Sequence, residues 1–329
     1  MREHVPPFPE RHALSTVTAG EADRPVPGRR LALSVLLTAG ALLCFAANSL
    51  LARAALGGTL GAARADAATF TALRVGSGAA ALALLAAGRG RRPAGGSWMS
   101  AAALLGYAAA FSLAYVRIPA AMGALLLNSA VQITMVGIGV AQGARPTRLQ
   151  WLGVLVSLAG LAYLTRPGAH GADGLGEALM AIAGVAWGVY SLRGRTARDP
   201  LATTADNFVR ATALALPLAA GFVLVQGARL SAPGAALAVA SGALASGGGY
   251  TLWYAVMPSL GATRAAALQV SVPAIAAAGG VVLLGEPLTW RLVVAAAVIL
   301  GGIGLTLALP RASGMGRASP RATGRAGAA

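Results

Sequence analysis

Apolar blocks, broken by short segments of Arg, Pro, Gly and Thr, fill the chain from residue 31 to 310. Ten blocks can be marked, at 31–52, 68–88, 99–116, 119–142, 149–165, 175–193, 204–226, 234–257, 261–284 and 290–309. Most approach the ~20 residues that a helix needs to cross a hydrocarbon core about 30 Å thick. Helices are predicted because amides in lipid must bond within their own segment. The alternating strands of a membrane barrel do not appear. The weakest boundary lies at 116–119, where the third and fourth blocks meet at RIPA. Residues 1–30 are rich in Pro, Arg and Glu and lack the apolar segment of a signal peptide. They and residues 311–329 read as disordered tails.

The chain also resembles itself. FSLAYVRIP at 111–119 aligns with YTLWYAVMP at 250–258, and CFAANSLLAR at 44–53 with AWGVYSLRGR at 186–195. Arg74 in the second block matches Arg210 in the seventh, and GARPT at 143–147 matches GEPLT at 285–289. The order of matches is the same in both halves, so each copy holds five blocks. Five is odd, and the second copy therefore enters the membrane in the opposite sense. The predicted fold is an all-α polytopic membrane protein, with ten transmembrane helices as two inverted five-helix repeats. The first repeat spans 31–165, an outer connecting loop 166–174, and the second repeat 175–310. Inverted repeats are a signature of secondary transporters, which place the solute near the midplane between the copies.

Composition strengthens the membrane reading. Of 329 residues, 57% are hydrophobic and 11% charged, against about 25% charged in soluble domains. Lipid must be the solvent for much of the surface. The formal charge of +16 is carried by Arg alone. All the arginines but Arg74 and Arg210 fall in gaps and tails, with no stripe along one face, which argues against a nucleic-acid partner. With the N-terminus inside, eighteen arginines lie on the inner side and six on the outer. That imbalance predicts both termini in the cytoplasm and a location in the cell (inner) membrane. Trp98, Trp151 and Trp290 stand at block ends, as interface anchors should. Cys44 is the sole cysteine, and His4, His12 and His170 lie in a tail or loop, so the sequence offers no disulfide, metal cluster or cofactor site.

Polar groups inside spans are costly and mark candidate sites. The candidates for substrate binding are Asn48, Tyr115, Asn128, Gln132, Trp187, Tyr190, Tyr250, Tyr254, Gln269 and Ser271. Asn128 and Gln132 are four apart and share a helix face. Interhelical hydrogen bonding is the competing role for each. Pro273 lies mid-block and would free the carbonyl of Gln269, either beside a solute or as a packing kink. Arg74 and Arg210 lie within snorkelling reach of an interface. They serve either structure, Arg210 pairing with Asp206, or an anionic or zwitterionic solute. Because no acid sits at mid-span, a carboxylate proton relay is not expected. Thr147 and Thr289 are placed to N-cap the helices that follow, and the junction glycines suit helix C-termini. Glu286 reads as the punctuation of an outer turn, with Arg291 as its partner.

These features, above all GVAWGVYS at 184–191 and the segment from Gly249 to Thr289, resemble the drug/metabolite transporter superfamily in its EamA-type branch. FTALR at 70–74 and WLGVLVSLAGLAYL at 151–164 match its layout in the first half. Two departures stand out: Phe45–Ala46 replaces a usual Trp–Gly pair, and Gly143–Ala144 a usual Gly–Glu pair. The resemblance implies a ten-helix transporter, often an exporter of amino acids, other metabolites or drugs. Its partners would be a small-molecule solute and the lipid bilayer, and a homodimer is compatible with it. A membrane enzyme would need a nucleophile with a base or clustered metal ligands, and a channel a filter or charged ring. Neither pattern is visible. A membrane scaffold remains the rival that leaves the repeat unexplained.

Overall fold

A computed structural model describes residues 27–307 except 59–60, 62–63, 144–145 and 167–172. Side chains of 27–30, 258–259 and 261–267 also fall outside the description. Both predicted tails, except for 27–30, therefore lie outside the described residues, as do Ala144, Arg145 and most of the 166–174 loop.

The described chain is helical, and its single β-bridge joins Ala65 to Leu230. The helices are α1 (Pro27–Leu56), α2 (Ala67–Ala87), α3 (Trp98–Tyr115), α4 (Ala120–Ala141), α5 (Arg148–Leu164), α6 (Gly174–Gly194) and α7 (Pro200–Gln226). They are followed by α8 (Ala232–Val239), a π-helical segment (Ala240–Gly248), α9 (Gly249–Gln269), α10 (Ser271–Leu284) and α11 (Trp290–Leu307). Seven helices (α1, α2, α3, α4, α6, α7 and α11) are long and apolar enough to cross a membrane. With 17 and 14 residues, α5 and α10 are shorter apolar helices. Large apolar side chains such as Leu36, Leu84, Leu224, Val225 and Val282 face outward, where only lipid would leave them without a hydration penalty. The chain is thus a polytopic membrane protein.

Most predicted blocks coincide with a helix to within a few residues. The region from 234 to 284 differs. The eighth block is divided among α8, the π segment and α9, and α9 continues to Gln269 with its break at Val270. Pro273 consequently sits in the first turn of α10 rather than mid-helix. There its missing N–H is one of the donors that a helix start leaves unpaired anyway.

Small residues set the helix distances. On α5, a Cβ at Gly153 would stand 2.6 Å from the Gly302 carbonyl of α11. On α6, a Cβ at Gly188 would stand 3.0 Å from Thr134 of α4. Such contacts let backbones approach where apolar burial supplies little drive, because lipid is itself apolar. The strongest packing joins α2 to α7 and α5 to α11; α3 and α4 pack on α6, while α9 and α10 pack on α1.

Helix ends are closed systematically. Asp66, Ser97, Thr147, Asp173, Asp199 and Ser231 each accept a backbone N–H as N-caps. Thr147 forms a full capping box with Gln150, and Thr289 accepts from Leu292 N at 3.2 Å. Gly143 and Gly285 have φ of 92° and 66°, the left-handed region suited to a helix C-terminus. Asp173 is held below the usual carboxylate range by the Gly176 N–H and then by Arg117.

Gly153→Leu should force α5 from α11 and cost roughly 1–3 kcal/mol by overpacking. The check is a lowered thermal midpoint of the purified protein in detergent, with Gly301→Leu, which meets open space, unchanged.

Candidate solute site

Rings from α3, α6 and α9 join in one cluster that meets a buried guanidinium at Tyr107 and Phe111. On α3, Tyr107, Phe111 and Tyr115 recur every four residues and so share one face. Trp187 and Tyr190 lie three apart on α6, and Tyr250 and Tyr254 four apart on α9. Their rings form a continuous series. Tyr107 contacts Phe111 at 5.3 Å and Trp187 at 4.9 Å between centroids. Trp187 stacks on Tyr250 at 5.9 Å, and Tyr250 on Tyr254 at 6.1 Å. Tyr190 joins through Trp187 at 5.3 Å, and Tyr115 through Phe111 at 4.6 Å. Offset and edge-on arrangements of this kind suit ring quadrupoles.

Polar groups thread the cluster. Arg74 of α2, 3% exposed, donates from Nη2 to the Tyr107 hydroxyl at 2.8 Å. Asn48 of α1 reaches the same hydroxyl at 3.5 Å and accepts from Ser241 Oγ at 2.6 Å. Ser241 belongs to the π segment, whose glycines allow contact with α2: a side chain at Gly242 would strike the Arg74 carbonyl. π turns displace side chains from the regular helical register and recur at functional sites. The Tyr254 hydroxyl shares a 2.8 Å hydrogen bond with Thr204 of α7.

Of the ten sequence candidates, Asn48, Tyr115, Trp187, Tyr190, Tyr250 and Tyr254 come together here. Asn128 instead donates to the Ala124 carbonyl of its own helix at 2.8 Å. Gln132 is half-buried on α4, and among the described residues no hydrogen bond joins it to the cluster. Gln269 is exposed, and Ser271 bonds Leu268 O at 2.7 Å beside the helix break. The sequence reading omitted Tyr107, Phe111 and Ser241. The four-residue ladder through Tyr115 and the run ASGALASGGGY were the available signals.

Arg210 follows the structural option. It pairs with Asp206 at 3.0 Å and lies 5.2 Å from the Trp98 ring centroid. Asp206 also accepts from Gly96 N.

Glu286 is corrected. It is 8% exposed, and its Oε1 accepts from Ala120 N at 2.7 Å. Pro119, the N-cap of α4, supplies no side-chain acceptor. Glu286 therefore closes the start of α4 from another part of the chain, where the helix dipole favours an anion. Its cationic partner is Arg53 at 3.4 Å, and Arg53 also donates to Tyr115 O at 2.9 Å. Arg291 instead donates to the carbonyls of Tyr163 and Arg166, at the C-terminal end of α5.

A bundle of long apolar helices with a polar aromatic centre and apolar exterior defines a polytopic membrane protein. The signature of the EamA-like transporter family covers residues 174–308. The chain is 50% identical to an uncharacterized protein of Pseudomonas aeruginosa over 297 residues, 89% of this chain and 99% of that one. It is 23% identical to an uncharacterized transporter of Archaeoglobus fulgidus over 195 residues, 58% of this chain and 69% of that one. A protein of known crystal structure shares the fold with a TM-score of 0.58 at 22% identity, covering 82% of this chain and 98% of that chain. The protein belongs to the EamA-like transporter family.

Glu286→Ala should leave half-buried Arg53 without its carboxylate and two α4 amides uncapped, costing roughly 1–3 kcal/mol. Glu286→Gln should lose less, because an amide oxygen still accepts from Ala120 N. Thermal midpoints of the two variants in detergent check the order.

Proposed function

We propose that the protein is a secondary transporter that exports a small metabolite, amino acid or drug-like solute across the cell (inner) membrane by alternating access. The observation that carries this reading is the aromatic and polar cluster, held between helices of both halves of a chain in a transporter family. In it the chain crosses ten times, with both termini cytoplasmic.

The pairing of elements supports two inverted repeats. Under the sequence repeat, α2 exchanges with α7 and α5 with α11, and each of these pairs packs on itself. Packing of α3 and α4 on α6 is matched by packing of α9 and α10 on α1. The connections follow the same rule. Residues 64–66 bond residues 229–231, and residues 91–97 bond residues 199–207. A scaffold would have no need of such symmetry, whereas alternating access uses it to exchange two equivalent openings.

The six acids among the described residues lie in connections or in the first two turns of a helix. Solute exchange is therefore expected without an imposed pH gradient. In proteoliposomes, solute-loaded vesicles should exchange external label at equal pH on both sides. Trp187→Ala should slow this exchange about tenfold, if ring stacking of roughly 1–1.5 kcal/mol is lost. Absence of counterflow for every member of a broad metabolite panel would sink the transporter reading.

A further inference from the structure

Among the described residues Arg74 is the one arginine that is buried rather than half-buried or exposed, and half-buried Arg291 spends its donors on two carbonyls. Arg53 and Arg210 each face a carboxylate. Arg74 faces none among the described residues. Its guanidinium lies 4.5 Å from the Phe111 centroid and 5.1 Å from that of Tyr107. Nη2 is engaged by Tyr107, while the buried Nη1 has no hydrogen-bond partner among the described residues. Ring faces offset part of the desolvation of a cation, but a sealed guanidinium lacking a counterion still favours any anion that reaches it. The repeat partner, Arg210, lies beside Asp206. The core copy of the pair is thus the one left free to bind.

A second observation is independent. A cavity of about 760 Å³ opens between the α2–α3 and α6–α7 connections and is lined by Arg91, Arg92, Arg193 and Arg198. Its one acid, Asp199, is already paired with Arg91 at 2.9 Å. A second cavity of about 380 Å³ runs past Arg89 to Tyr254. Tyr254 begins the ring series that ends on Tyr107 and Arg74. A mouth lined by one sign of charge concentrates the opposite ion.

We propose that the solute is an organic oxyanion with an aromatic or apolar body and no cationic centre, and that Arg74 binds its oxyanion. This rests on the transporter reading above. The rings would hold the body, and Nη1 would supply the free donor. A cationic centre is disfavoured because the ring faces already hold a guanidinium and no acid faces the cluster. The carboxylate or phosphate identity of the oxyanion is left to the arms of the test.

Binding to the purified full-length protein, followed by tryptophan fluorescence, tests this with phenylacetate, phenyl phosphate, phenylalanine and phenethylamine as probes. At least one of the two anions should bind more tightly than phenylalanine or phenethylamine. Arg74→Gln should weaken that binding about tenfold or more, with Arg74→Lys recovering part of it and Arg210→Gln leaving it intact. Absence of anion binding, equal binding of phenethylamine, or unchanged anion affinity in Arg74→Gln overturns the proposal. The wild-type ranking decides alone if Arg74→Gln does not fold. Proteoliposomes separate the two readings. An anion that binds through Arg74 but is never exchanged removes the transporter reading only. Exchange of phenylalanine or phenethylamine that Arg74→Gln leaves unchanged removes the anion site only.

Discussion

A bilayer core offers no water to a peptide group, and the architecture follows from that shortage. Each crossing segment must be helical, and each helix end needs a partner before it meets lipid. The caps from Asp66, Ser97, Thr147, Asp173, Asp199, Ser231 and Thr289 meet that need locally. The start of α4 has no cap of its own, because Pro119 occupies that place. Glu286, 166 residues away in sequence from Ala120, fills the gap. The demand for backbone satisfaction thereby ties α4, α10 and the end of α1 into one unit.

The same shortage explains the distribution of polarity at the centre. Asn48, Ser241, Tyr107 and Arg74 satisfy one another in a chain of hydrogen bonds, surrounded by rings rather than by solvent. Within the cluster Arg74 retains an unpartnered donor. The glycines of the π segment make the arrangement sterically possible, since any side chain at Gly242 would collide with α2. Packing and polar bonding are here one constraint: the close approach brings Ser241 to Asn48.

Much of the fold was legible in the chain. Eight of the ten apolar blocks each fall on a single helix, because span length is a property of local composition. The exceptions are the eighth block, where the π segment intervenes, and the ninth, which the break at Val270, rather than near Pro258, divides between α9 and α10. A glycine-rich run leaves helix geometry to neighbouring elements, so no local pattern foretold it. The candidate site was half legible. Six of ten chosen residues meet, since inward-facing aromatics repeat every three or four positions on their helices. Asn128, Gln132, Gln269 and Ser271 were chosen on polarity and spacing, and neither says whether a side chain bonds its own helix. Asn128 does, to Ala124.

By itself the sequence determined what depends on neighbours along the chain: most helical spans, cap residues and family membership. Tertiary structure decided which charges meet. Nothing local places rings rather than an acid beside Arg74, or assigns Glu286 to Arg53 rather than Arg291, because these choices depend on helices distant in sequence. Arg210 is paired because Asp206 lies one turn before it. Arg74 is left with ring faces because α3 presents Tyr107 and Phe111 where an acid could have stood.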